Sequence, residues 1–449
     1  MTDSTATTIE RAYRVRLRPT PAQARTLSRL FGARRYVWNW AIGRKDEAWR
    51  ANGTNLSGVD LSRAFTALRA DGETAWLGTL PREPFNQTLR DFDRAWTNFF
   101  AGRARRPRRK RFGTVNSARF TLDQRREGLV RWRDAAGACL RTGSVQLDGI
   151  GRVRLRVTEA MPGRLRSVTV RRDSAGRWHA TFTADGVETA AHTDPPRATL
   201  GIDMGLRDTA ILSDGRRIAA AKSLARHQAR LRRYQRHYTR QRDAAARRQG
   251  LDPTRPLPKG TRIEASNRMR RTRRTIGRLH ATITDQRRDH LHQTSAAAVA
   301  TAKVIAIEDL AVKALARGMG RRAFRRSVAD AGLGELRRQL TYKAKWTGRT
   351  LSVVDRYFPS SKLCSACGAR NDALTLRDRT WTCPACQTEH DRDDNAATNI
   401  EREGVRLLAG TGPDGRTPRS GVRPSGPVSA SRRSAAFTSP HALQVLLDG

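Results

Sequence analysis

The sequence predicts an α/β protein in two parts, the second interrupted by a zinc ribbon. Three observations carry this. Short apolar runs at 199–203 and 303–308 read as buried strands, each ending on a carboxylate. Between them lie long stretches with apolar residues at helical spacing. Two CxxC pairs, Cys364/Cys367 and Cys383/Cys386, then place four thiolates a short loop apart. Four thiolates suit a d¹⁰, borderline-soft ion that takes tetrahedral sulfur, so one structural Zn²⁺ is expected.

Composition narrows the function. The chain has 449 residues, of which 38% are hydrophobic, enough for more than one cored domain. It carries 87 Lys plus Arg against 42 Asp plus Glu, a formal net charge of +45. So large an excess opposes compaction and calls for a polyanionic partner, which points to nucleic acid. No long apolar span or anchor helix argues for a membrane. Four of the five cysteines sit in the CxxC pairs, and nothing upstream reads as a secretory leader, so a reducing cytoplasm is expected rather than disulfides. Cys139, the isolated one, reads as a buried thiol.

Taken in order, residues 1–11 read as disordered and Ala12–Arg18 as an alternating strand. Thr20 caps a helix with Pro21 at its first position; Leu27, Leu30, Phe31, Val37 and Trp38 form its apolar side. Two more helices are expected at 61–68 and 84–100. In the second, Phe85, Leu89, Phe92, Trp96 and Phe99 form a core stripe. The block ARRPRRKRFG follows. Its Arg105, Arg106, Arg108, Arg109, Lys110 and Arg111 exceed what a solvated surface needs and read as phosphate contacts. Strands at 117–122, 144–157, 166–171 and 178–183 complete a small β-domain with helices inserted.

A polar, proline-bearing linker at 191–198 leads to the second part. There Thr199–Asp203 is a strand, Thr209–Leu212 a second, and Asp214-Gly215 a turn. Two long basic helices are expected at 222–248 and 267–300. Leu224, Leu231 and Tyr234 on one, and Ile276, Leu279 and Ile283 on the other, give thin apolar seams; Arg232, Arg233 and Arg236 fill the basic face. Histidines 280, 290 and 292 read as surface or satisfied core residues. KVIAIE is a strand ending at Glu308, a basic stretch from 323 runs into a helix through 345, and VVDRYFPSSK leads from a strand into the ribbon. A helix starts near Asn395, and the Gly/Pro/Ser/Arg-rich tail from about 405 reads as disordered.

Asp203 and Glu308 end strands, and Asp393 stands at a helix start. Three convergent carboxylates repel unless cations neutralise them, and hard oxygen ligands suit Mg²⁺. Two such ions support phosphodiester hydrolysis. The sequence has no Walker-type glycine loop and no Ser or Cys nucleophile with a nearby base, which argues against an energy-driven helicase.

The strings YRVRLRPTPAQ, YVWNWAI, GIDMGLRDTAILSDG, VIAIEDL, CSACG, CPAC and DRDDNAATNI together resemble the TnpB family, over about residues 12–400. These are transposon-encoded RNA-guided DNA endonucleases, also labelled OrfB-type transposases, related to miniature type V CRISPR effectors. The resemblance implies a β-barrel wedge domain at 12–190 with a helical recognition insert at about 20–105. It also implies an RNase H-like (RuvC) nuclease domain at 199–362 and 389–404, with a zinc ribbon at 363–388. It implies Asp203, Glu308 and Asp393 as catalytic, magnesium-binding carboxylates. Asp391 is the nearest rival for the third place; Asp393 stands two residues before the Asn-Ala-Ala run, as the family has it. A guide RNA from the transposon end, a double-stranded DNA target and a short flanking DNA motif are implied as partners. Arg34, Arg35, Tyr36 and Asn39 are candidate readers of that motif. Arg356, Lys362 and Arg392 are candidates for scissile phosphates. The rival functions are a strand-transferring transposase, a CRISPR effector nuclease and a binding protein without turnover.

Overall fold

The computed structural model describes residues 8–410, apart from 112, 114, 124–127, 135, 189–193, 257, 259–260, 319–321 and 376. The expected disordered N-terminus through residue 7, part of the linker and the tail from 411 lie outside the described residues. Two compact units divide at Glu188/Thr189.

The first unit opens with strand β1 (Thr8–Arg18). It begins earlier than the alternation at Ala12 predicts, because Thr8 and Ile9 already pair with Glu188 and Val187 and Ile9 is buried. Helix α1 (Pro21–Asn52) follows, with the expected cap: the Thr20 hydroxyl accepts from Gln23 N–H, and Gln23 returns a bond to Thr20 N–H. Gly53 closes it in the left-handed region at φ 69°. Helix α2 (Gly58–Ala70), a 3₁₀ turn at Gly72–Leu77 and helix α3 (Glu83–Phe100) complete the insertion. Phe85, Leu89, Phe92 and Trp96 are buried on α3, while Phe99 is half-buried edge-on to Trp96.

The chain then returns to a sheet. Strands β2 (Ser117–Thr121), β3 (Val130–Arg133), β4 (Cys139–Leu147), β5 (Gly151–Arg156), β6 (Arg164–Arg172) and β7 (Trp178–Glu188) join β1 in the order β2-β6-β7-β1-β5-β4-β3. Every pairing is antiparallel. The run 144–157 breaks at glycine, as the sequence predicts, into two strands, with Gly149 and Gly151 at positive φ where they part. Cys139, expected to be buried, is exposed at the start of β4.

The second unit is built on a mixed sheet. Strands β8 (Arg197–Asp203), β9 (Asp208–Leu212) and β10 (Arg217–Ala219) are antiparallel neighbours. Helices α4 (Ser223–Arg248) and α5 (Asn267–Thr301) pack through the predicted seam: Leu231, Leu279 and Ile283 are buried together, with Leu224, Tyr234 and Ile276 beside them. Strand β11 (Ala302–Glu308) lies parallel to β8. Next come helices α6 (Val312–Gly318), α7 (Arg322–Ala331) and α8 (Leu333–Trp346). The basic stretch from 323 and the helix it leads into are α7 and α8, which part at Gly332, held at φ 69°, a conformation an L side chain resists. Strand β12 (Thr350–Val354) is parallel to β11 and completes the order β10-β9-β8-β11-β12. A ribbon of β13 (Thr380–Thr382) and β14 (Glu389–Asp391) runs into helix α9 (Arg392–Leu408).

Strand alternation sends side chains to two layers. Leu200, Ile202, Ile305 and Ile307 join Leu291 and Val299 of α5 and Leu336 and Leu340 of α8. On the other face Ala306 and Val354 meet Ile400 of α9. That helix lies close: a Cβ on Gly201 would come 2.1 Å from Ala397 O, and one on Gly404 would come 2.3 Å from the Ala306 Cβ. Gly201→Ala is therefore expected to destabilise the protein by about 1–3 kcal/mol, visible as a lower thermal midpoint, because backbone blocks the new methyl.

Candidate active site and metal centre

Parallel pairing decides where the strand-end carboxylates lie. Ile202 of β8 sits opposite Ile307 of β11, so Asp203 and Glu308 leave the same edge of the sheet as neighbours. Helix α9 packs across that sheet, and its first turn brings Asp393 near enough for its charge to act on Asp203. The electrostatics record the convergence. Asp203 is pushed up to about 7, first by burial, then by the negative charges of Asp393 and Glu308; Arg392 and the Met204 N–H work against the rise. Glu308 is raised by burial and by Asp309. The three carboxylates are not drawn into as tight a group as the four thiols below, whose sulfur atoms lie within 4.8 Å of one another.

Asp391 is engaged elsewhere. As the N-cap of α9 it accepts from Asp393 N–H at 2.9 Å and Asp394 N–H at 3.2 Å. Arg217 of β10 bridges it to Asp394, at 2.7 and 2.6 Å. Its carboxyl lies below the ordinary range: burial raises it, and the Arg217 hydrogen bond, the two helix N–H groups and the Arg217 charge together more than offset that. Among the described residues the Asp393 carboxylate has a long ion pair, 3.5 Å to Arg379, and its charge, unlike that of Asp391, acts on Asp203.

The Asp203 shift has a consequence for stability. The folded protein without a cation retains a proton that the unfolded chain releases near 3.8. This group therefore favours folding at low pH, and that contribution is lost as pH rises from about 4 to about 7. Asp203→Asn is expected to raise the thermal midpoint of the EDTA-treated protein at pH 8 by several degrees, and to do so far less at pH 4.5, as a melt series would read.

The cysteines form the expected cluster. Cys364 and Cys386 Sγ are 3.6 Å apart, and Cys367 and Cys383 Sγ are 3.7 Å apart. A tetrahedron with zinc–sulfur bonds of about 2.3 Å has edges of about 3.8 Å, so these residues fit zinc. The Thr388 hydroxyl lies 3.2 Å from Cys386 Sγ, where a hydrogen bond donated to the sulfur favours the thiolate that a metal requires. Leu374 and Trp381 pack against Cys364 and Cys383.

Sequence reasoning missed three residues here. His390 places Nε2 3.0 Å from Cys364 Sγ and stacks on Trp381 at 4.9 Å between centroids. Asn395 and Asn399 are buried on α9. Asn395 accepts from Ser365 N–H at 2.8 Å, and both asparagines donate to Leu363 O at 2.7 Å. The Arg402 guanidinium reaches Ser365 O. The knuckle is thus tied to the helix that bears Asp393. The signal was available, since Asn395 and Asn399 are i and i+4 in DDNAATNI and must share a helix face.

Several candidate nucleic-acid contacts turn out to be structural. Arg34 is buried; its Nε donates to Thr88 Oγ1 at 2.7 Å, another arm reaches Ser117 O, and Asp91 lies 3.9 Å away. Asn39 spends both amide ends on the Lys110 backbone, at 3.0 and 2.7 Å. Lys110 lies 3.5 Å over the Trp38 ring and is lowered to about 8 by burial and by Arg34. Arg106 pairs with Asp46 at 2.6 Å and lies over Trp96. The basic block is thus partly an anchor that binds the segment after α3 back to α1. Arg35 is partly exposed, and Tyr36 is exposed and edge-on to Trp76. Arg105, Arg108, Arg109 and Arg111 are exposed, as are Arg232, Arg233 and Arg236 on α4. Near the carboxylates, Arg356 is ion-paired with Asp309, Lys362 donates to Asp372 O at 3.1 Å, and Arg392 donates to Thr375 O at 3.2 Å. Of the three histidines on α5, His290 meets Thr209 Oγ1 at 3.0 Å and His292 meets the Tyr342 hydroxyl at 3.4 Å.

Fold and site together define a strongly basic, mixed α/β protein with strand-end carboxylates and a four-cysteine metal knuckle fastened to the neighbouring helix. Residues 182–319 match the OrfB_IS605 family, described as "Probable transposase", and residues 334–400 match the Cas12f1-like TNB domain. Residues 7–54 match a family described as "Helix-turn-helix domain"; here they are β1 and the single helix α1. A Streptomyces pristinaespiralis protein named "Putative RNA-guided DNA endonuclease" is 35% identical, over 96% of this chain and 96% of the relative. The InsQ protein of Escherichia coli K12, named in the same terms, is 30% identical over 89% and 93% of the two chains. A chain of the Cas12f1-sgRNA-target DNA complex, solved by cryo-EM, superimposes with TM-score 0.47 and 10% identity, covering 88% of this chain and 98% of that one. The chain belongs to the TnpB family of RNA-guided DNA endonucleases, related to the miniature type V effectors. Among the described residues no helix is long and apolar enough to cross a membrane.

Proposed function

We propose that this chain is an RNA-guided, magnesium-dependent DNA endonuclease of a mobile element. It would act in the cytoplasm on double-stranded DNA selected by pairing with a guide RNA from the transposon end. The observation that carries the reading is that Asp203 and Glu308 end neighbouring parallel strands at one sheet edge and that the charge of Asp393, from the first turn of α9, acts on Asp203, which burial first and then these neighbours push up to about 7. Relatives that match nearly the whole chain and bear the name RNA-guided DNA endonuclease support the same reading.

In this view the second unit is an RNase H-like (RuvC) nuclease domain, the knuckle is its zinc ribbon, and the first unit is the wedge with helices α1–α3 as its recognition insert. Asp203, Glu308 and Asp393 would hold the magnesium: their oxygens are hard donors, and their mutual repulsion is what a cation relieves. A pair of bound magnesium ions would supply Lewis acidity to the attacking water and to the leaving 3′ oxygen. The protein's own part is to fix the three carboxylates. Asp203 is held by β8 and the Met204 N–H, Glu308 by β11, and Asp393 by a helix capped through Asp391 and Arg217. The exposed arginines of α4 and of the block after α3 would take phosphates, and Tyr36 and Arg35 would face the flanking motif.

The test is to sequence the RNA that copurifies with the protein and to offer a plasmid library carrying its complement beside randomised flanks. Linear plasmid that depends on magnesium and is enriched for one flank supports the proposal. A protein that binds this DNA without cutting it in magnesium or manganese is a regulator, and one that yields joined ends is a strand-transferring transposase.

A further inference from the structure

The turn after β12 presents a side chain that the core does not use. Tyr357 is 85% exposed, the most open large apolar side chain among the described residues. A single exposed ring is ordinary in itself. This one differs in how it is held. On one side Arg356 is ion-paired with Asp309; on the other Phe358 packs against the cluster of Ala306, Val354 and Ile400. The Tyr357 N–H donates to Asp355 Oδ1 at 2.8 Å, and the Phe358 N–H donates to Asp355 O at 3.1 Å. The backbone is therefore fixed on both sides while the ring points into solvent. Such an arrangement loses little entropy when a flat partner lands on it.

Its position gives the partner. Val354, the last residue of β12, pairs with Glu308, and Asp309 N–H donates to Val354 O at 2.9 Å. Tyr357 follows three positions later, at the edge where Glu308 and Asp203 end. Three cationic side chains near this edge are engaged with protein groups: Arg356 with Asp309, Lys362 with Asp372 O and Arg392 with Thr375 O. Phosphate contacts alone leave the bases of a strand unheld, whereas an aromatic face holds any base by stacking.

We propose that Tyr357 stacks on a base of the single strand brought to the three carboxylates and so sets where along the strand the phosphodiester lies. The role of that strand as the one to be cut rests on the nuclease reading; the stacking does not.

The experiment uses the full-length protein with its copurifying RNA and a 20-nucleotide single-stranded DNA containing 5-iodouracil. Irradiation followed by trypsin digestion and mass spectrometry is expected to find the adduct on the peptide 357–362. Tyr357→Phe keeps retention of the strand, and Tyr357→Ala weakens it about tenfold. Because the ring is exposed, the Ala variant should melt with the wild type. Strand bound and crosslinked elsewhere with nothing on 357–362, or equal retention by Tyr357→Ala, overturns the proposal. An adduct at Tyr357 in a wild-type protein that never cuts DNA leaves the stacking standing and removes the nuclease reading.

Discussion

Asp203→Asn is expected to lower guide-directed plasmid cutting about 1,000-fold or more, with the RNA and DNA complexes still formed. The substitution is nearly isosteric and removes one hard, charged donor. Asp203 is also the member of the set on which the charges of the other two act, so its loss removes the carboxylate that links them electrostatically. Asp391→Asn serves as the contrast. Asp391 caps α9 and is paired with Arg217; asparagine caps as well as aspartate, so the substitution is expected to lose only the partly exposed ion pair, about 1 kcal/mol or less of stability, and little of the cutting rate. Cutting rates from a plasmid-linearisation time course, with melts of the same preparations, read both. Equal losses in the two variants would mean that Asp391 shares the metal.

Removing the knuckle metal is the second large effect. Cys383, the first cysteine of the second CxxC pair, is fully buried, and Cys383→Ser replaces a thiolate with a poor zinc ligand. Elemental analysis is expected to fall from about one zinc per chain to near zero. The damage should then spread. Leu363 O and Ser365 N–H, next to the first cysteine, hold Asn395 and Asn399 of α9. When that loop opens, two buried asparagines lose partners, at about 1–3 kcal/mol for each unsatisfied group. The helix carrying Asp393 loosens, and cutting should be lost together with a lower thermal midpoint. Full cutting by a zinc-free protein would show that the knuckle does not position Asp393.

Features whose chemistry depends on residue type and spacing were legible before the fold. The CxxC pairs, the apolar seams of α4 and α5, the Thr20 cap and the three strand- or helix-end acids are of this kind. What was not legible depends on which side chain faces which. Arg34, Lys110 and Asn39 look like nucleic-acid contacts in a basic sequence, yet they turn inward because Thr88, the Trp38 ring and the Lys110 backbone give them partners. Asp391 and Asp393 differ by two positions and are alike in type; the N-cap hydrogen bonds and Arg217, from a strand far away in sequence, separate them.

The most direct measurement counts divalent ions at the carboxylates. Electron paramagnetic resonance of Mn²⁺, titrated into guide-loaded protein holding a phosphorothioate target, should show ions bound at the active edge. Asp203→Asn, Glu308→Gln and Asp393→Asn should each release them, while Asp391→Asn should not. Unchanged manganese binding in any one of the first three would contradict a shared site.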